Sequence, residues 1–158
     1  MNFYLKPKKD THEKNIFNTH TSSSTILAFT QSKNDEAVKD VLKKYKTNIE
    51  QLDTTGVSNL FVKKSKIYES GGSEGTIGHY LEHHLGPELK DFKSFNFTDY
   101  KVDVEVDGNY AFTTETYNYV IVLAKDNTEI KRKGVATSVL KKTNGEWKIV
   151  VTHSSSRK

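Results

Sequence analysis

From Lys93 to Arg157 apolar and polar residues alternate almost without a break. A period of two sends successive side chains to opposite faces of a strand, so this stretch must form a sheet with one buried face. Tyr100, Val102, Val104 and Val106 share one parity, and Asp107-Gly108 turns the chain. A second strand runs on to Leu123, with a turn at Lys125-Asp126-Asn127. A third runs from Thr128 to Lys142, and Thr143-Asn144-Gly145 leads into a fourth from Glu146 to Arg157. Strands of about 12–15 residues exceed the usual five or six. Phe95 and Phe97 fall in the opposite parity from Tyr100, and one extra residue near Thr98-Asp99 reconciles them as a bulge. Long bulged strands bend, so the expected object is a curved antiparallel wall.

The preceding half supplies what the wall closes on. Val38, Val41, Leu42, Tyr45, Ile49 and Leu52 recur at helical spacing and predict an amphipathic helix beginning near Asn34. Ser32 or Asn34 is placed to cap it, and Gly56 lies past its end. Lys39, Lys43, Lys46 and Glu50 read as its solvated face. A helical turn over 57–62, a strand at Lys66–Glu69, a glycine-rich loop and a second helix from about Thr76 to Leu85 follow, with a further turn opened by Pro87. Helices first and strands after them give an α+β fold. Residues 1–33 show no period and read as a disordered or loosely packed tail, with 34–158 as a single domain.

Charge and composition exclude several roles. The net charge is +4, but residues 1–34 hold five lysines against two acids, so the domain itself is nearly neutral. Nucleic-acid binding is therefore not expected. No apolar run approaches the ~18 residues of a membrane span. Cysteine is absent, which removes disulfides and thiolate chemistry. The apolar run Ile26 to Phe29 is shorter than the roughly 7–15 residues of an export signal, so a cytoplasmic location is the expectation, with periplasmic or secreted as the alternative.

The order long helix, short helix, strand, helix and long antiparallel meander resembles the nuclear transport factor 2-like superfamily, most closely its SnoaL-like branch. It is also similar to the association domain of calcium/calmodulin-dependent kinase II. Leu60-Phe61, Gly145-Glu146-Trp147-Lys148-Ile149 and the ending His153-Ser154-Ser155 carry the likeness, which covers 34–157. The resemblance implies a cone-shaped curved antiparallel sheet wrapped around the long N-terminal helix, with a pocket at its open end. It also implies homodimers paired through the sheet. Enzymes of that group carry an Asp–His or Tyr–Asp arrangement in the pocket, and no residue-by-residue match to either stands in this chain.

Candidate site residues follow from parity and helical spacing. Trp147, Ile149, Val151, His153, Ser155 and Arg157 share one parity, an apolar face turning polar where a cavity mouth would lie. Ile77, Tyr80, Leu81 and His84 form the inward stripe of the second helix, with His79 and His83 beside it. His84 and His153 are thus the expected acid–base pair, imidazoles titrating near neutral pH. Glu69, Tyr80, His83, Ser155 and Arg157 are expected ligand contacts, Arg157 toward an anionic group. Glu115 shares a face with Tyr117 and Tyr119. It is a buried acid if that face is interior, whereas an exterior face would make the tyrosines a dimer surface. His79 and His83 stand at i and i+4 and could grip a metal only with a third ligand that folding brings in, Glu69, His84 or His153; no metal and no cofactor is expected. The loop Gly71-Gly72-Ser73-Glu74-Gly75 lacks the Lys-Ser/Thr of a phosphate loop and reads as a turn beside the pocket.

These features predict a small-molecule-binding domain. Its ligand is compact, apolar or anionic, and isomerase or hydratase/dehydratase chemistry is open to it. The alternative is a non-catalytic association module that uses its sheet face.

Overall fold

The computed structural model describes the backbone of residues 22–158 and side chains from Gln31 onward. Helix α1 (Ser22–Glu50) comes first. It starts upstream of the expected Asn34, so Ser32 and Asn34 lie inside the helix rather than at its cap. The expected tail lies outside the described residues as far as position 21. A 3₁₀ turn (Val57–Leu60) leads into β1 (Phe61–Glu69), a strand five residues longer at its start than the sequence pattern predicts. Residues Gly72–Gly75, read from sequence as loop, form a short strand β2 folded back on β1.

The second helical region is a continuous run with a widened centre. α2 (Ile77–Tyr80) passes into a π turn (Leu81–Leu85) and then α3 (Gly86–Lys90). The Oγ of buried Ser65 on β1 accepts the Ile77 N–H at 2.9 Å, which fixes α2 against the strand. Gly86 is required where the π turn closes, because a Cβ there would sit 2.3 Å from the Leu81 carbonyl oxygen.

β3 (Phe92–Asp107), β4 (Tyr110–Leu123), β5 (Glu129–Thr143) and β6 (Glu146–Arg157) form the antiparallel wall. The sheet order is β2-β1-β6-β5-β4-β3, with β1 and β6 parallel. The bulge expected near Thr98-Asp99 is present, with one extra residue on β3 between the Thr98–Asn118 and Lys101–Thr116 pairs. A second bulge lies in β6. Val139 pairs with Val151 but Leu140 pairs with Ile149, so Val150 is the extra residue.

One face of the bent sheet packs on α1. Val38, Leu42 and Ile49 from the helix meet Phe61, Ile67, Ala111, Leu140, Trp147 and Ile149 from the sheet, with Ile77, Leu85 and Leu89 closing the side. Each large aliphatic chain buried there contributes about 1.5–3 kcal/mol. No helix among the described residues is long and apolar enough to cross a membrane.

Candidate functional site

The inner face of the sheet carries small residues where the wall is deepest. On β5 they are Gly134, Ala136 and Ser138, and on β6 they are Thr152, Ser154 and Ser156. Side chains this short cannot fill the space under a curved sheet. A cavity of about 360 Å³ remains between the wall, α1 and the second helical region. Leu42, Ile49, Ile67, Leu85, Phe92, Phe95, Phe97, Ile121 and Ile130 make it apolar.

Two acids stand at opposite ends of one cross-strand row. Register pairs Glu69 with Ser154, Ser154 with Ala136, Ala136 with Glu115 and Glu115 with Val102. Three strand spacings put the two carboxylate-bearing positions about 14 Å apart along the sheet. The hollow lies over the small pair between them.

At the inner end, Glu115 is 3% exposed. Its Oε2 accepts from Lys46 Nζ at 2.9 Å and from the Tyr100 hydroxyl at 2.7 Å. Lys46 is itself buried, and its ammonium lies 4.4 Å from the Tyr117 ring centroid and 5.0 Å from that of Phe97. Burial first, then the Glu115 charge, pushes the Tyr100 and Tyr117 phenols well above their ordinary values, so both stay protonated as donors. The Tyr117 ring packs directly on Gly134, where a Cβ would come 2.2 Å from it.

The sequence pattern assigned Lys46 to the solvated face, and the structure corrects this. Lys46 stands four residues after Leu42 and three before Ile49, in the middle of the apolar stripe. That spacing was the available signal, overridden by the residue's charge. Glu115 is buried and faces the interior, and Tyr117 and Tyr119, both half-buried, line the cavity with it.

At the outer end, Glu69 Oε2 accepts the Tyr80 hydroxyl at 2.9 Å. Burial, then Tyr45 and Glu69 beside it, raises the Tyr80 phenol far above its usual range. His84 stacks on Tyr80 with ring centroids 5.1 Å apart. Its Nδ1 lies 3.0 Å from Glu74 Oε2, and its Nε2 lies 3.3 Å from Glu88 Oε1 and 3.6 Å from Glu69 Oε2. Burial, then the charges of Glu69, Glu74 and Asp91 against the opposing pull of His84, raises the Glu88 carboxyl. Glu69, Tyr80 and Glu88 line the cavity mouth, and His84 sits among them at the rim.

His153 is not part of this group. The extra residue Val150 shifts the parity of β6, so Thr152 and Ser154 turn inward and His153, Ser155 and Arg157 turn outward. His153 lies exposed on the outer face between Tyr68 and Thr137, across the sheet from His84. Arg157 is exposed in a shallow outer groove with Asp99, Lys101 and Lys133. Ser155 is exposed and reaches only the rim. His83 also points to solvent. It packs on His79 at 4.6 Å, and His79 Nδ1 is engaged with the Glu74 carbonyl oxygen at 3.0 Å.

A curved six-stranded wall closed on a long helix, with polar groups at both ends of an apolar hollow, is a family architecture. The model of the SnoaL-like domain matches residues 38–157, most of the chain. This chain belongs to the SnoaL-like family. No curated protein sequence matches it.

Among solved structures, the SnoaL-like chain is similar to a nuclear transport factor 2-like superfamily protein from Salmonella enterica serovar Typhimurium LT2. That match has 20% identity and a TM-score of 0.72, over 80% of this chain and 93% of that one. It is similar also to a cystatin-like-fold member from Novosphingobium aromaticivorans, at 12% identity and TM-score 0.68, over 87% and 90%. A hexachlorocyclohexane dehydrochlorinase from Novosphingobium barchaimii LL02 matches at 12% and 0.68, over 83% and 91%. At these identities the likeness is one of fold, and the site must be read from its own side chains.

Proposed function

We propose that this SnoaL-like domain binds a compact, largely apolar molecule carrying one carbonyl, hydroxyl or carboxylate oxygen, and moves a proton on it. The observation that carries the reading is the Lys46–Glu115 ion pair facing an apolar cavity. A pair of charges this buried is poor support for stability, because desolvation offsets most of the attraction. It is better explained by chemistry that needs a charge in a dry place. The cavity volume falls within the range of small-molecule sites, roughly 300–1,000 Å³.

In this reading the ligand oxygen accepts from the Lys46 ammonium, which has N–H groups beyond the one used on Glu115, and from the Tyr117 hydroxyl. The Glu115 carboxylate takes the proton from the adjacent carbon or hydroxyl. Negative charge developing on the oxygen then meets fixed donors in low dielectric. Isomerisation and dehydration both fit this arrangement. The expected His84–His153 pair does not supply it, since His153 is outside the cavity. His84 orders the mouth.

The test is a set of small ketones, phenols and carboxylates screened by thermal shift, with exchange of ligand C–H protons followed by NMR in D₂O. Binders should stabilise the wild type and lose at least tenfold in affinity in Lys46→Met, and exchange should stop in Glu115→Gln. Binders that bind all three proteins equally would overturn the assignment.

Homodimerisation belongs to the same proposal. The outer face exposes Tyr110 and Phe112 on β4, Val135 on β5 and Tyr68 on β1. Exposed large apolar groups on a sheet face suit pairing with a second copy of the chain.

A further inference from the structure

We infer that the buried Ser138–Thr152 hydroxyl pair in the cavity floor is the specificity element of this site. It selects a small ring compound with a second oxygen acceptor across the ring from the oxygen held at Lys46. The inference deepens the proton-transfer reading and rests on it for the placement of the first oxygen.

The Ser138 and Thr152 hydroxyls lie 2.8 Å apart and are joined by one hydrogen bond. Ser138 is 4% exposed and Thr152 7%, so bulk solvent hardly reaches either. Each hydroxyl has one hydrogen to donate and two lone pairs to accept with. One bond between two hydroxyls uses one hydrogen and leaves the other without an acceptor, whichever group donates. Among the described residues neither side chain makes another hydrogen bond; the Thr113 hydroxyl donates to the Ser138 main-chain carbonyl, not to its side chain. The surplus donor therefore has no protein partner, and a buried donor without an acceptor is costly. Both residues line the cavity, so the acceptor is left for the ligand to provide. A ligand that enters displaces water from this floor and must offer an oxygen in its place. Ser156, by contrast, is exposed and accepts the Tyr119 hydroxyl at 3.0 Å, so solvent satisfies what remains of it.

Register fixes where the second oxygen lies. Ala136 on β5 pairs with Glu115 on β4, and Ser138 stands two residues further along β5 on the same face. Diagonal positions of this kind on neighbouring strands are about 7–8 Å apart. Thr152 pairs with Ser138 on the side away from β4. A single ring with one oxygen at Lys46 and another on its far side spans that offset. Ala136, between the two polar stations, contributes only a methyl group, which leaves room for the ring itself.

The experiment measures dissociation constants by ligand-observed NMR for two probes built on cyclohexanone. One carries a methoxy group at the opposite ring position and the other an ethyl group there, so they differ in a single acceptor oxygen. The wild type should bind the methoxy probe about tenfold more tightly, roughly the worth of one net hydrogen bond. Ser138→Ala and Thr152→Val each leave one O–H free and should keep most of that preference. Ser138→Ala/Thr152→Val removes the donor altogether, and its two affinities should become equal. Deleting both partners of a buried hydrogen bond is nearly neutral for folding, and circular dichroism checks it. Equal affinities in the wild type, or a preference that survives in the double variant, would overturn the subsite. Lys46→Met should weaken both probes and leave their ratio unchanged. If it weakens both but the wild type shows no ratio, the proton-transfer site stands and the floor contact fails. If the ratio is present but Lys46→Met weakens neither, the floor contact stands and the proton-transfer reading fails. A folded wild type that binds neither probe would overturn both.

Discussion

Replacing Lys46 by Met strips the ammonium from a carboxylate that is 3% exposed and keeps only the Tyr100 hydroxyl as its partner. Removing one member of a buried pair costs about 3–5 kcal/mol, because the survivor remains desolvated and unpaired. That figure contains the attraction of the ammonium for the Tyr117 and Phe97 rings, about 0.5–2 kcal/mol. At about 2–4 °C per kcal/mol for a domain of this size, the midpoint should fall by roughly 6–20 °C. Lys46→Met/Glu115→Leu removes both charges and fills the space with apolar atoms, and such replacements are neutral or stabilising by about 1–4 kcal/mol. The double variant should therefore be more stable than Lys46→Met alone. Urea unfolding of the wild type, both single variants and the double variant gives the coupling directly. Single effects that add to within about 0.5 kcal/mol would refute the reasoning, because two charges meeting in a dry site cannot be independent.

Three further outcomes are expected. Gly134→Ala drives a methyl into the Tyr117 ring; it should destabilise by about 1–3 kcal/mol in urea and alter ligand affinity together, since Tyr117 roofs that end of the hollow. Tyr45, Tyr80, Tyr100 and Tyr117 all have phenols raised chiefly by burial. The unfolded chain loses those protons near pH 10 while the folded one keeps them, so stability is full below about pH 10 and falls as pH rises; phenolate absorbance at 295 nm should appear cooperatively with alkaline unfolding, and early non-cooperative release from all four would contradict their burial. Phe112→Lys on the outer face should convert a dimer to monomer in analytical ultracentrifugation with the fold intact, whereas an unchanged sedimentation coefficient would count against that face.

Legibility in the sequence depended on whether neighbouring residues contrasted. The β3 bulge was readable because Phe95 and Phe97 conflict in parity with Val102 and Val104. The β6 bulge was hidden because Ile149, Val150 and Val151 are three consecutive β-branched residues, and a strand slips by one position inside such a run without any change of pattern. Every expectation downstream of that point on β6 inverted with it, which is why His153, Ser155 and Arg157 were assigned to the wrong face. Glu69, Tyr80 and His84 were individually visible as inward candidates. Their meeting with Glu74 and Glu88 depends on the β1–β2 pairing and the π turn, neither of which leaves a periodic trace. For Tyr117 and Tyr119 the flanking Val120 and Val122 made both faces equally plausible, and only the cross-strand register decides between them.

The single surplus residue at Val150 acts as a frame selector for the end of the chain. Upstream of it β6 sends Trp147 and Ile149 into the core, and beyond it the strand offers two alphabets, hydroxyls at even positions and His153 with Arg157 at odd ones. The protein displays the uncharged alphabet to its lumen and the ionisable one to solvent. Deleting one residue there would exchange them in a single step, turning a neutral floor into a basic one while leaving the rest of the curved wall in place.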